Sequence, residues 1–371
     1  MIPLLVDLDT EWRGGQSQAL LLLKGLYERG HAAELLTAKG SSLGRRAKRV
    51  GIYVHEVSRG LFRLPAAARI RALLNDGRVD LVHANEAHAV TAAWLAGVHR
   101  QLPLVISRRV GFPLGKSALA QARYKSAACI VANSQWVAEQ AAASGAPQDK
   151  LRIVYEGVEI PHLPSGTERQ AARAHWGIKS SDKVIGCVGA LQSDKGHEWV
   201  IRALAELRQE FPEARLLIAG EGKYRPQLEA LVAELGLQSK VIFAGFMKNI
   251  SAAYEAIDVF VFPSLFEGLG TSLLAAMAYA VPSITFFGCA LGEIVENERS
   301  GIQVESRNSQ AIAEATAKLL RDPASAQRMG EAARARVAEK FSAERMVQEM
   351  VHVYGDVLGT NAVPRARLSL D

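Results

Sequence analysis

Two doubly wound α/β domains in tandem are what this sequence predicts, on three observations. Short β-rich runs alternate with amphipathic helical segments from one end of the chain to the other, the pattern of parallel sheets covered by helices on both faces. The alternation breaks once, at a stretch rich in proline and glycine. The chain is 371 residues long, more than one hydrophobic core usually organises. Hydrophobic residues make up 49% and charged residues 22%, the balance of a globular enzyme rather than of a disordered or fibrous protein.

In the first half, residues 2 to 8, 32 to 37, 51 to 56, 79 to 83, 103 to 107, 128 to 132 and 151 to 154 read as strands. Residues 17 to 29 read as a helix with Leu20, Leu23, Leu26 and Tyr27 on its buried stripe, stopped by Gly30. The segment GVEIPHLPSGT, residues 157 to 167, is the linker. A second set of strands follows near 183 to 189, 214 to 219, 240 to 243, 257 to 262, 281 to 285 and 301 to 304, and the chain is nearly all helical after about residue 307. The domains are therefore expected at 1–163 and 164–340, with a helix over 341–358 able to pack back on the first domain and a frayed tail over 359–371. Two sheets joined by a short linker predict a cleft between their carboxyl ends, where open α/β folds bind ligands.

The first residues, MIPLLVDLDTEWRGG, have no basic leader and too short an apolar run for a signal peptide, so they read as a strand and imply a cytoplasmic protein. No charge occurs between Glu267 and Glu293, but Pro282, Gly288 and several Ser and Thr break that stretch well short of the roughly 20 apolar residues a membrane span needs. Cys129, Cys187 and Cys289 lie far apart in apolar surroundings and read as reduced, buried thiols. The positive charge is concentrated in residues 1 to 163, which carry 21 Lys or Arg against 13 Asp or Glu. Arg45, Arg46, Lys48, Arg49, Arg59, Arg63, Arg69 and Arg71 cluster there with Glu56 as the only acid among them. Such a patch suits an anionic membrane face or a phosphorylated acceptor, and equally an ordinary solvated surface. The basic residues lack the aromatic interleaving of nucleic-acid readers.

The strongest chemical signal is VFVFPSLFEGLGTSLLAAMAYAVP, residues 259 to 282. An apolar strand ends at Pro263 and Ser264, a loop carries Glu267, Gly268 and Gly270, and a helix opens near Thr271. A helix N-terminus offers unpaired N–H groups and partial positive charge to a diphosphate, and glycines let the backbone come close. Glu267 is placed to accept hydrogen bonds from sugar hydroxyls. GLGTSL departs from GxGxxG at Leu273 and lacks a well-placed acidic partner, which argues against a nicotinamide enzyme. Asp7-Leu8-Asp9 is a DxD, yet it precedes any complete nucleotide-binding unit, and no metal site is expected from it.

Taken in order, WRGGQSQ, GHAAELLT, DLVHANEAHA, YKSAACIVANSQWV, VGALQSDKGHEWVIRALAEL, LLIAGEGKYRPQLEALVAELGL, VIFAGF and EGLGTSLL resemble the motifs of glycosyltransferase family 4 over nearly the whole length. The resemblance implies the GT-B fold, two Rossmann-like domains facing a cleft with C-terminal helices. It also implies retaining, metal-independent transfer of a sugar from a nucleotide-diphosphate sugar, with no cofactor. Carried over, Lys195 would neutralise the leaving diphosphate and Glu267 would touch the donor sugar. Gly14 and Gly15 would lie under the phosphates, and His83 would hold a sugar hydroxyl or the transferred proton. Gly189, Glu221, Ser264, Gly268, Leu269, Gly270, Thr271 and Ser272 complete the implied donor site.

Three departures from the family pattern bear on this. Ala275 stands where a second acid usually meets the ribose, and Ala190 where an arginine usually assists with phosphate. The strand PLVIS ends in Arg108 and Arg109 where many relatives have a histidine, and either arginine is a candidate to replace a lost function by a forked hydrogen bond to phosphate. The expected acceptor is a glycan or glycolipid of cell-surface polysaccharide or lipopolysaccharide synthesis, met at the inner membrane face through the basic first domain, with no nucleic-acid partner. The alternative is a catalytically impaired nucleotide-sugar-binding protein or partner subunit of the same fold.

Overall fold

The computed structural model describes residues 1–58 and 63–359. They divide into two compact units, Met1–Gly157 with the helix beginning at Ala343, and Val158–Ser342. Arg59 and the tail beyond Gly359 lie outside the described residues.

In the first unit β1 (Pro3–Asp7), α1 (Gly14–Glu28), β2 (Glu34–Ala38), α2 (Ser42–Arg49), β3 (Tyr53–Val57), α3 (Arg63–Asn75), β4 (Leu81–Ala84), α4 (Ala87–Ala96), β5 (Leu104–Arg108), α5 (Ala118–Lys125), β6 (Cys129–Ala132), α6 (Gln135–Ala143) and β7 (Leu151–Ile153) follow in turn. The strands form one parallel sheet of order β3-β2-β1-β4-β5-β6-β7. Every residue of β1, β2, β4 and β6 is buried, as expected of strands with helices on both faces, where apolar runs replace strict alternation.

In the second unit α7 (Gly166–Ala174), β8 (Lys183–Val188), α8 (His197–Leu207), β9 (Ala214–Ala219), α9 (Arg225–Glu234), β10 (Val241–Gly245), α10 (Ser251–Ala256), β11 (Val259–Phe262), α11 (Thr271–Ala278), β12 (Ser283–Phe286), α12 (Leu291–Ile294), β13 (Ile302–Val304), α13 (Ser309–Arg321) and α14 (Pro323–Lys340) build a second parallel sheet, of order β10-β9-β8-β11-β12-β13. The charge-free stretch after Glu267 becomes α11 and β12, both in this core.

The last helix, α15 (Ala343–Leu358), belongs to the first unit. Its stripe of Met346, Val347, Met350, Val353 and Tyr354 has helical spacing and packs with Leu23 and Leu26 of α1. The two helices cross at Gly25, where an added Cβ would come 2.5 Å from Val347 Cγ2. Helix α1 starts at Gly14, three residues before the expected start, because the Gln16 side chain turns back to accept a hydrogen bond from the Arg13 amide at 3.2 Å.

Both sheets change direction once. Strands run outward to one side from β1 and β8 and to the other from β4 and β11, so the loops leaving β1 and β4, or β8 and β11, part and open a crevice at the carboxyl edge. Each unit therefore has one position where a ligand is best received.

Candidate active site

At the crevice of the second unit the loops after β8 and β11 bring Lys195 and Glu267 together, with Nζ 2.7 Å from Oε1. These loops are stitched to each other: the Leu265 amide donates to the Asp194 carbonyl at 2.8 Å. Gly196 has φ +67°, and a Cβ on it would come 2.1 Å from the Pro263 carbonyl oxygen, so only glycine permits this approach. The loop after β9 joins them. Gly220 sits at φ +147°, where a Cβ would meet the Gly189 carbonyl oxygen at 1.8 Å, and the Leu191 amide donates to the Glu221 carbonyl at 3.0 Å.

Helix α11 opens directly after Glu267 through Gly270, whose φ of +108° turns the chain into the helix. The amides of Leu273 and Leu274 bond back to the Gly270 carbonyl. Among the described residues the Thr271 and Ser272 amides have no backbone acceptor at this helix start, a ready arrangement for an anion. The crevice thus holds the Lys195 ammonium, a helix N-terminus and the Glu267 carboxylate, with Asp194 Oδ2 3.7 Å from the same ammonium, and these are elements that can bind a phosphorylated ligand with a polyhydroxylated portion.

The remaining expected donor residues are arranged around this centre in different ways. Glu221 pairs its carboxylate with Arg225 at 2.6 Å. Ser264 and Leu269 are buried, at 2% and 1% exposure, and shape the loop from beneath. Gly189, Gly268 and Gly270 supply backbone at the rim. Ala190 is exposed and Ala275 half-buried, and neither offers a polar group.

The crevice of the first unit is more polar than the sequence suggested. Asp7, at the end of β1, is fully buried and accepts from Asn85 Nδ2 at 2.6 Å and Gln16 Nε2 at 3.0 Å. Its carboxyl is raised above the usual range by burial, against those hydrogen bonds. Glu86 caps α4 and accepts from the amides of Leu8, His88 and Ala89. Burial nevertheless pushes it up to about 7, with the Asp7 charge adding. Asp9, Glu86 and His88 each place a ligand atom within 4.8 Å of the others. Arg63 Nη2 is hydrogen-bonded to His88 Nδ1 at 2.9 Å, so a cation already occupies that side of the imidazole. Arg109 donates from Nε to Glu156 at 2.7 Å and from Nη1 to the Asn85 carbonyl at 2.7 Å, and its Cδ would lie 3.8 Å from a Cβ on Gly15. Arg108 donates to the Phe112 carbonyl. Gly14 and Gly15 are the first two residues of α1.

His83 needs a correction. It lies within β4, is fully buried, and bonds the Tyr354 hydroxyl through Nδ1 at 2.6 Å and the Ser107 hydroxyl through Nε2 at 2.7 Å. Both nitrogens are committed and no atom reaches solvent, so this ring ties α15 to the sheet rather than touching a sugar. The histidine at the carboxyl edge of the same strand is His88, at the start of α4, which the sequence reading passed over. Asn85, Glu86 and Glu156 were missed too, and Asp7 was read only as part of a DxD, since the association of these residues depends on strand order.

Burial pushes His83 down to about 3, with Arg109 adding, and pushes His197, the first residue of α8, down to about 4, with Lys195 adding. The folded protein keeps both rings neutral, while the unfolded chain protonates them below about 6.5. Their contribution to stability is complete above that value and is lost as the pH falls through the window towards 3 to 4. Each ring adds a slope of up to about 1.4 kcal/mol per pH unit there. Urea midpoints measured from pH 7 to 4.5 should fall less steeply in His83→Gln than in the parent; parallel curves would contradict this.

The basic cluster is largely occupied by local partners. Lys48 pairs with Glu56 at 2.8 Å, Arg69 bonds His55 at 3.0 Å, Arg71 bonds the Leu95 and Ala96 carbonyls, Arg45 bonds the Gly40 carbonyl, and Arg46 lies over the Trp12 ring at 4.2 Å. Among the described residues no helix is long and apolar enough to cross a membrane.

Two parallel α/β sheets of this order, each with a polar crevice at its reversal point, define a GT-B glycosyltransferase once set beside known proteins. The model for Glycosyltransferase Family 4 matches residues 12–161 and that for Glycosyl transferases group 1 matches residues 168–336. The chain belongs to the glycosyltransferases of this family type. An uncharacterized glycosyltransferase of Methanocaldococcus jannaschii is 28% identical, over 90% of this chain and 92% of its own. A GDP-mannose-dependent alpha-(1-6)-phosphatidylinositol monomannoside mannosyltransferase of Mycolicibacterium smegmatis is 26% identical, over 91% and 97%. In fold the chain is similar to HepE of Anabaena, solved in complex with UDP-glucose, with a TM-score of 0.83 at 20% identity, covering 96% of this chain and all of that one.

Proposed function

We propose that this enzyme is a retaining, metal-independent transferase that moves a sugar from a nucleotide-diphosphate sugar to a hydroxyl of a glycan or glycolipid acceptor. The observation that carries the reading is Lys195 paired with Glu267 beside the unengaged amides that open α11. As the bond between anomeric carbon and diphosphate oxygen breaks, negative charge grows on the leaving group. Lys195 and the Thr271 and Ser272 amides stabilise it at fixed positions. The acceptor oxygen bonds to the anomeric carbon on the face the diphosphate leaves, and its proton departs with the diphosphate. Glu267 accepts from donor-sugar hydroxyls.

The first unit receives the acceptor at Asn85, Glu86 and His88. A glycolipid is favoured by Phe112 and Leu119, exposed at 61% and 55% on and beside the loop that follows Arg109. They lie in a stretch without any Asp or Glu between Glu86 and Glu139. This combination of apolar and cationic surface suits a peripheral contact with an anionic membrane. Its place is cell-surface polysaccharide or lipopolysaccharide synthesis.

Purified protein incubated with uridine, guanosine and adenosine diphosphate sugars and with lipid-linked or lipopolysaccharide-core acceptors should give transfer with the donor's anomeric configuration kept. No transfer from any donor, or an inverted product, would overturn the proposal. The exposed Ala190, which leaves Lys195 without a neighbouring arginine in the loop after β8, favours a second reading as an impaired binder. Nucleotide binding with no donor hydrolysis would select it.

A further inference from the structure

A second cavity of about 240 Å³ lies in the second unit, at the opposite ends of the same strands. Lys183 opens β8, Asp258 precedes β11 and Pro282 precedes β12, whereas Lys195 and Glu267 follow the carboxyl ends of β8 and β11. Ile257, Val281, Leu319, Leu320 and Ala326 give it apolar walls, and one side is closed by the rings of Tyr254 and Tyr279, stacked 5.5 Å apart.

The charges of the residues lining this cavity do not balance, since Arg169 and Lys183 face the carboxylate of Asp258, while Glu255, outside the lining, acts on Tyr279. Arg169 donates from Nη2 to Asp258 Oδ1 at 2.5 Å and to the Ile257 carbonyl at 3.1 Å. Arg173 donates to the other oxygen of the same carboxylate at 2.7 Å, and that oxygen also receives the Val184 amide at 2.7 Å. One carboxylate thus answers two guanidinium groups. Lys183, also in the lining, has no acidic partner within 4 Å among the described residues. Burial holds the Arg169 guanidinium below its usual range, with Arg173 adding. Excess positive charge in a half-enclosed apolar setting is costly until an anion joins it.

We propose that this cavity binds a small ligand in which one apolar ring carries an anionic group, the ring against Leu319, Leu320 and Ala326 and the anion against Lys183 and Arg169. The size fits. An apolar cavity of about 150 Å³ accepts benzene, and drug-sized ligands occupy roughly 300 Å³ or more, so a single ring with one anionic substituent suits the space between. The site is separate from the donor crevice and stands independently of the proposed reaction.

Phenyl phosphate and benzoate are the probes, with inorganic phosphate and benzyl alcohol as partial ligands, titrated into the full chain and followed by thermal shift and amide chemical shifts. Both anionic rings should bind at millimolar concentration or tighter, and the partial ligands at least tenfold more weakly. Amide shifts should move at residues 254 to 259 and 319 to 327. Lys183→Ala and the cavity-filling Ala326→Phe should each weaken phenyl phosphate at least tenfold, while Lys195→Ala should leave it unchanged. If Ala326→Phe fails to fold, Lys183→Ala decides alone. Absence of saturable binding, equal affinity in Lys183→Ala, or loss of binding in Lys195→Ala would overturn the proposal, the last by assigning the anion to the donor crevice.

Discussion

Lys195→Ala should lower kcat for sugar transfer by about 10²- to 10³-fold, the effect of removing one preorganised charge-stabilising donor from a reaction that builds negative charge. The ammonium is held 2.7 Å from Glu267 and its loop is locked by the Asp194 to Leu265 hydrogen bond, so no other cation of that loop can swing into its place. Because the charge on the diphosphate grows as the bond breaks, the loss should fall more on kcat than on donor affinity. Glu267→Gln separates the two roles, since it leaves Lys195 in position but weakens the contact to the sugar. Steady-state kinetics with the best donor checks both. A Lys195→Ala enzyme within threefold of the parent would remove this lysine from the chemistry.

Asp258→Ala should cost about 3 kcal/mol of folding stability, the lower end of the range for breaking one partner out of a buried ion pair. Asp258 holds Arg169 and Arg173 and takes the Val184 amide. The Arg173 side chain is only 7% exposed, so it cannot recover its lost partner from water, while Asp258 itself is 27% exposed, which moderates the loss. Against a typical total of roughly 5 to 15 kcal/mol this is large. Urea unfolding should show a lower midpoint at unchanged slope. A fall below about 1 kcal/mol would place the pair among surface ion pairs, which contribute little.

What the sequence made legible follows physical range. The alternation of strands and helices is local, and so is the run from Pro263 to Ser272, where strand end, glycines and helix start are adjacent; both units and the Glu267 loop were legible from such signals, whereas Lys195, 72 residues away in sequence, was assigned to the site only through the family resemblance. The role of His83 was not legible, because the Tyr354 hydroxyl that occupies it is 271 residues away in sequence. Arg109 read as a candidate for a forked hydrogen bond to phosphate, and the sequence did not reveal that Glu156, from the far edge of the first sheet, and the Asn85 carbonyl take two of its donors. The polar group of Asp7, Asn85 and Glu86 was readable only with strand order in hand, since β1 and β4 are neighbours in the sheet but far apart in the chain. The basic cluster looked uniform along the sequence, yet folding gave most of its members separate local partners.

The resting place of the diphosphate is visible in a crystal structure with a bound nucleoside diphosphate. Phosphate oxygens are expected at about 3 Å from Lys195 Nζ and from the Thr271 or Ser272 amide, with Glu267 turned toward the position of the sugar. Phosphates seated elsewhere, with Lys195 and the start of α11 left to solvent, would contradict that placement.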